Sequence, residues 1–427
     1  MKVSVVSKGE VSRTLRIEVP TEAVAAEYER VYARVSRTAA VPGFRKGKVP
    51  RNILEPQVRG SVNQEVLESL LPKATYDAVV QESLQAVGRP QIDDLEYNGS
   101  GPLTFKAVIE VKPEFSLGVV EGLALSGPSA AVADKEVEEQ VEGLRQRQAK
   151  EGDEKKAPAA DGDWVKVDFQ GFIDGKPFPG GHASDYPLVL GRKQLIPGFE
   201  EQLLGASAGE TRQVKVQFPA DYPAQDVAGK SAEFMVTLKE VRLLSLPPLD
   251  DAFAQAFGPE VKDLAFLRDR LREALAEQKG RFRMQRLMDA AAEELLKRHA
   301  FTVPQSLIEA EAHALEQGEM GRLAGQGLEV NGEEGHAALH KALREPAEKR
   351  ARLSLVLEKV AQSNKIEASD ADLENEIGRL AQQMRASAAE VARSLRQSGR
   401  ETGVRDQIRE RKALEWVVEK AKVTDHA

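Results

Sequence analysis

The chain has no cysteine among its 427 residues. That excludes disulfides, thiolate nucleophiles and cysteine-ligated zinc together. It has no apolar run near the ~18–20 residues a membrane-spanning helix needs. Its start, "MKVSVVSKGE", lacks the apolar segment of a secretory signal, so a cytoplasmic protein is expected. Positive charge is in deficit. Formal net charge is -8, with 30% charged residues, so any nucleic-acid contact must be local rather than a general coating. Aromatic residues make up only 5% of the chain, yet nine of them fall between Trp164 and Phe234. The length exceeds what one ordinary core accommodates, and several domains are expected.

Residues 3–19 alternate in two short runs separated by Gly9, which predicts a hairpin. Pro20 and Thr21 then open a helix, with Thr21 as the candidate N-cap. A second helical pattern runs from Val62 to Val87 and is predicted to stop at Gly88 and Pro90. Two strands follow, "QIDDLEYN" and "LTFKAVIEV". Residues 1–112 thus form an α+β domain, and 113–150 a polar, helical connector. Strand-like runs punctuated by Gly and Pro mark a β domain over 151–245. From 246 to 427 the pattern is helical throughout, with breaks at "HAFTVP", at "QGEMGRLAGQGLEVNGEEG" and at "SNKIEASD". These amphipathic but only moderately apolar helices suit an open arrangement.

Between the first two helices lies "VPGFRKGKVP". Arg45, Lys46, Lys48 and Arg51 fall within seven positions with no acid among them, and Phe44 sits at the centre. Arg37 and Arg59 extend the positive field against one acid, Glu55. A Walker-type phosphate loop is excluded by spacing: three residues separate Gly43 from Gly47, and Val49 follows Lys48. What remains is a solvated turn or a docking tip. In a docking tip the cations meet phosphates and Phe44 wedges against a base or an apolar patch.

"GFRKGKVP" resembles the ribosome-docking signature of the bacterial trigger factor family, Gly-Phe-Arg-x-Gly-Lys-x-Pro, and matches it at every fixed position. The resemblance implies that Gly43, Phe44, Arg45, Lys46, Gly47 and Lys48 contact the large ribosomal subunit beside the exit tunnel, touching ribosomal RNA and a ribosomal protein. "VDFQGFIDGKPFPGG", "DYPLVLGRKQLIPGFEEQLLGASAGE" and "FPADYPAQDVAGKSAEFMVTL" resemble the FKBP-type peptidyl-prolyl isomerase domain of the same family. That resemblance implies an apolar proline cleft lined by Phe169, Phe178, Tyr186, Leu195, Ile196, Phe199, Tyr222 and Phe234, with Phe199 at its floor. Phe172 and Phe218 are assigned to the core. Two places depart from the family pattern. Pro179 replaces an acid after the pocket Phe, and Pro223 and Ala224 replace a polar or aromatic wall; both bear on turnover rather than fold.

The helical remainder resembles the family's substrate-binding domain in composition and position, which implies arms enclosing a cradle for unfolded chains. The expected fold is therefore multidomain α+β: an α+β docking domain, an FKBP-like antiparallel β domain with a short helix, and an all-α C-terminal domain with helical arms. The family further implies an ATP-independent chaperone acting on nascent chains, and a homodimer off the ribosome. Rival readings are a free prolyl isomerase with targeting domains and a ribosomal RNA-binding assembly factor; net charge counts against the latter. No cofactor is assigned. "DLEYNG", from Asp94, fails the calcium-loop pattern because Glu96 and Phe105 occupy ligand positions three and twelve. His336 and His340 stand four apart with no third ligand evident in the sequence, and no metal is assigned.

Overall fold

The computed structural model describes residues 1–42, 44–45, 47–99, 101–219, 222, 224, 227–328, 330 and 332–426. In chain order it runs β1 (Lys2–Lys8), β2 (Ser12–Val19), α1 (Thr21–Thr38), α2 (Arg51–Gln81), β3 (Ala86–Glu96), β4 (Leu103–Val111) and β5 (Ala124–Pro128). Then come α3 (Asp134–Arg147), β6 (Lys150–Glu154), β7 (Trp164–Ile173), β8 (Lys176–Val189), a 3-10 turn (Glu201–Leu203), β9 (Thr211–Gln217) and β10 (Ser231–Ser245). The rest is α4 (Asp251–Gln255), α5 (Leu264–Arg298), α6 (Gln305–Gly325), α7 (Gly332–Ser363), α8 (Asp370–Met384), α9 (Ala388–Gln397), α10 (Glu401–Glu419) and β11 (Lys422–His426). Two compact units result. One joins 1–128 to 284–427, and the other is 129–283.

In the first unit β1, β2, β4 and β3 form an antiparallel sheet in that order. Strand β4 shows why. Leu103, Phe105, Ala107, Ile109 and Val111 are buried and alternate with half-buried residues, the period of a strand with one face in a core. That face packs on Val31 of α1 and on Leu54, Val62 and Val66 of α2. The first helix begins at Thr21 itself. Pro20 is its N-cap and no side chain caps it, so the capping role expected of Thr21 is absent. The second helix ends at Gln81, short of the expected Gly88. Ser83 adopts φ 51 and breaks it, and Val87 pairs with Glu110 as part of β3.

Two features of residues 113–150 and of the C-terminus were not expected. The supposed helical connector is helical only over α3, and it contributes β5. The last residues are a strand, β11, which pairs in parallel with β5 from Lys422↔Ala124 to His426↔Pro128. Leu123 and Leu125 sit beneath this pair in one core with Leu287, Leu295, Val356, Val360 and Val417. The helical part meets the α+β part through a polar latch. Helix α6 has no side-chain cap of its own. Instead Glu110 of β4 accepts from the amides of Gln305 at 3.2 Å and Ser306 at 2.7 Å, placing a carboxylate on unsatisfied N–H groups at the positive end of the helix. Lys112 pairs with Glu358 of α7 at 2.6 Å.

In the second unit β6, β10, β7 and β8 form a sheet in that order, and β9 pairs with β10 further along the edge that β6 occupies, opposite β7. Its core is Val165, Val167, Leu188, Phe199, Leu203, Val214, Phe234 and Val236 with their neighbours. The predicted short helix after "LIPGF" is a single 3-10 turn.

The latch makes a local prediction. Glu110→Ala should cost about 1 kcal/mol, as loss of a helix cap does, and should speed hydrogen exchange of the Gln305 and Ser306 amides. Unchanged exchange at both amides would show that Glu110 does not hold the helix end.

Candidate functional site

Strands β7 and β8 turn through Asp174 at φ 51 and Gly175 at φ 76, with Ile173 paired to Lys176. Two consecutive positive φ values are the signature of the tight hairpin turn that suits strand twist. The turn brings Phe178 back over Phe169, Gly171 and Ile173, and these residues open an apolar cleft of about 730 Å³. Phe178, Leu195, Ile196, Phe199, Phe218, Tyr222 and Phe234 line it together with Phe169. Rings meet edge to face throughout. Phe234 touches Phe199 at 5.3 Å and both Phe169 and Phe178 at 5.9 Å. Phe218 lies 5.9 Å from Phe178 and 4.9 Å from Tyr222. Edge-to-face contacts are the favoured geometry for ring quadrupoles, so the aromatic walls hold one another.

Of the eight residues expected to line the cleft, the structure brings seven to it. Tyr186 instead packs edge-on behind Phe169 at 5.7 Å. It pairs with Val167 across the ladder, whereas Phe169 pairs with Ala183 beyond an irregularity in register. Phe218, assigned to the core, is buried and lines the cleft as well. Phe172 is half-buried and lies in neither the core nor the cleft, because strand alternation turns it away from Gly171 and Ile173. Pro179 and Ala224 are on the lining, while Pro223 is outside the described residues.

What holds the walls was missed by sequence reasoning. A Cβ on Gly171 would lie 2.6 Å from Phe234 and 2.7 Å from Phe178, and one on Gly181 would lie 2.8 Å from Phe178. The Phe178 ring therefore occupies space that only two glycines leave. The loop bearing Leu195 and Ile196 is tied by buried Glu200, whose carboxylate accepts from the amides of Lys193 at 2.9 Å, Gln194 at 2.6 Å and Leu195 at 3.2 Å. Gln202 donates to the carbonyls of Gly198 and Lys215 and accepts from the Lys215 amide. The only sequence signal was the placement of Glu200 directly after Phe199. Beside the bend of β8, Lys239 bridges Asp168 at 2.9 Å and Asp185 at 3.0 Å, and it holds the Asp168 carboxyl below its ordinary range.

The basic turn joins α1 to α2. Phe44 is 40% exposed, and Arg45 and Lys48 are exposed with no ion-pair partner among the described residues. Gly43 and Lys46 lie outside those residues. Gly47 takes φ 76, and a Cβ there would lie 3.3 Å from the Arg37 carbonyl oxygen. Arg51 is not part of the free positive tip. It bonds Glu29 of α1 at 2.6 Å and Glu55 of α2 at 2.8 Å and lies 4.8 Å over the Tyr32 ring. It thereby clamps the base of the turn and pairs with both of these acids.

In the helical part His340 meets Glu309 and Glu316, and His313 stands beside it. The third potential ligand that His336 and His340 lack in sequence is thus supplied from α6. No helix among the described residues is long and apolar enough to cross a membrane.

An apolar, aromatic-walled cleft on an antiparallel sheet is the form of a prolyl isomerase domain of the FKBP type, here within a larger helical protein. The comparisons agree. Residues 155–239 match the family model for FKBP-type peptidyl-prolyl cis-trans isomerase, residues 1–144 that for bacterial trigger factor protein, and residues 263–419 that for the trigger factor C-terminus. The trigger factor of Halalkalibacterium halodurans is 34% identical over 96% of both chains. That of Shouchella clausii is 35% identical over 96% of this chain and 95% of its own. A solved structure from work on promiscuous substrate recognition by the trigger factor chaperone superposes with TM-score 0.58 over 98% of this chain and 99% of its own, at 19% identity. The chain belongs to the trigger factor family, ribosome-associated chaperones that carry a peptidyl-prolyl isomerase domain, and it is an isomerase of that type.

Gly171→Ala tests the ring packing. The added methyl should displace Phe178 or Phe234 and cost about 1–3 kcal/mol as overpacking does. Turnover of a prolyl peptide should fall while the sheet keeps its circular dichroism; unaltered turnover would mean the ring position is not limiting.

Proposed function

We propose that the chain docks on the large ribosomal subunit beside the exit tunnel through residues 43–48, holds emerging chains on its helical part without ATP, and isomerises X–Pro bonds in the cleft at Phe199. The division of labour follows the expected segments: docking over 1–112, connection over 113–150, isomerisation over 151–245 and client binding over 246–427. The proposed site is cytoplasmic. The observation that carries the isomerase assignment is the closed ring of edge-to-face aromatics.

The X–Pro barrier of ~18–20 kcal/mol comes from amide resonance. Resonance separates charge, so water stabilises the planar ground state more than the twisted transition state. A cleft walled by Phe169, Phe178, Phe199 and Phe234 strips that water and favours the less dipolar twisted form. A backbone donor is available at the wall. The amides of Lys193, Gln194 and Leu195 go to Glu200, whereas the Ile196 amide has no acceptor among the described residues. We assign it to the substrate carbonyl, since an unpaired backbone donor covered by a ligand needs a partner.

Docking rests on the exposed tip of Phe44 and Arg45 above the Arg51 clamp. A small basic tip on an acidic body limits RNA contact to one geometry. Client holding rests on dispersed apolar exposure. Leu328 near the α6–α7 turn is 55% exposed, and Met384 at the end of α8 is 67% exposed. Isolated, flexible apolar groups suit a binder of many sequences. Exposed Val6, Tyr76 and Val80 on the α+β part support self-association off the ribosome.

Two measurements test this reading. In ribosome co-sedimentation at physiological salt, the wild-type chain should pellet, and Phe44→Ala/Arg45→Ala/Lys46→Ala should remain in the supernatant while folded. Equal behaviour would reduce the tip to a turn. Phe178→Ala should lower prolyl isomerase kcat/KM at least about tenfold, as loss of 1.4 kcal/mol or more of transition-state stabilisation would, yet leave suppression of client aggregation intact. Loss of both together would favour a plain folding enzyme.

A further inference from the structure

Helices α6 and α7 bring together three of the six histidines of the chain. Glu309, His313 and Glu316 recur at i, i+4 and i+7 on α6, and His336 and His340 at i, i+4 on α7, so each set shares a helix face. The ligand atoms of Glu309, His313 and His340 all lie within 4.8 Å of one another. His340 Nε2 is 2.8 Å from Glu309 Oε2, and its Nδ1 is 3.2 Å from Glu316 Oε2. The other Glu316 oxygen is 3.2 Å from His336 Nδ1. The His313 and His340 rings are 4.9 Å apart between centroids.

Ion pairing accounts for one imidazolium between two carboxylates. His313 Nδ1 lies a looser 3.7 Å from Glu316 Oε2, an exposed contact of small worth, while two charged rings 4.9 Å apart repel. A cation shared by both rings removes that repulsion. We propose that Glu309, His313 and His340 bind a divalent transition metal ion of the Zn²⁺ class, with Glu316 as the positioning residue for His340. Two imidazoles and one carboxylate are a nitrogen-rich set that suits Zn²⁺ over Ca²⁺ or Mg²⁺, and three protein ligands are the number found where water completes a zinc site. His340 offers Nε2 to the ion and keeps the proton on Nδ1, donated to Glu316. That carboxylate–imidazole–metal order fixes the tautomer and raises ligand basicity.

The ion would join residues 309 and 313 of α6 to residue 340 of α7, closing the hairpin that presents Leu328. Among the described residues the remaining histidines offer no such cluster. His299 has both ring nitrogens engaged, by the Gly118 amide and the Leu295 carbonyl. His182 bonds the Phe169 carbonyl and His426 bonds Ser126.

The test is calorimetric titration of Zn²⁺ into the untagged, chelator-treated full-length chain at pH 7.5. One ion per chain is expected. His313→Ala and Glu309→Gln should each weaken binding at least tenfold, and Glu316→Gln should weaken it by about 10–100-fold, as loss of a carboxylate behind a metal-bound imidazole does. His182→Ala should leave binding unchanged. The His313 side chain is 68% exposed, so its loss leaves the helices intact, which circular dichroism checks. Absence of binding by the wild-type chain, or binding indifferent to both His313→Ala and Glu309→Gln, would overturn the proposal.

Discussion

The parallel pairing of β5 with β11 is the constraint on which the chain's organisation depends. It brings residues 124–128 against 422–426, so the start and end of the chain belong to one folded body and residues 129–283 are inserted within it. A five-residue strand pair is weak by itself, because a parallel pair on two strands has no covered face. It persists because Leu123 and Leu125 below it share a core with α5, α7 and α10. The entropy of closing so long a loop grows only slowly with its length, so a modest buried core is enough to hold the ends.

Within that body polar contacts do what apolar burial does elsewhere. The cap of α6 by Glu110 and the Lys112–Glu358 pair join the α+β part to the helices, and Phe115 stacks on Phe301 at 4.3 Å under Lys359. The buried His299 sets its own tautomer there. Its Nδ1–H donates to the Leu295 carbonyl, which leaves Nε2 to accept from Gly118. The isomerase cleft follows the opposite rule. Its floor and walls are ring edges and faces, and the polar groups next to it, Glu200 and Gln202, serve the backbone of the surrounding loop. That separation suits a reaction whose barrier is lowered by removing water.

Much of this was legible in residue pattern. Period-two alternation located β4 and β7, and the hairpin around Gly9 followed from composition. The clustering of aromatics pointed to the cleft, and the resemblance assigned its walls. The failures have physical causes. Leu84 and Val87 continue a helical spacing toward Gly88, whereas the left-handed Ser83 ends α2 and strand pairing claims Val87. The C-terminal strand has too few residues to show a period and exists only because β5 is there to pair with. Phe172 could not be sorted by type, since one residue of register decides which face of the sheet a ring joins. Tyr186 was lost to the cleft for the same reason.

The amino-acid sequence alone determined the chemistry available: no thiol, an acidic body, one basic tip with a phenylalanine, and a dense aromatic segment. Each of these is a property of residue identity and short spacing, which local sequence carries in full. Tertiary structure decided what those residues meet. It converted Arg51 from a tip cation into a clamp, turned Glu200 inward to three amides, and left room for Phe178 above two glycines. It also set His313 beside His340 from a different helix. Such meetings depend on distances between segments remote in sequence, and those distances come into being only when the elements pack.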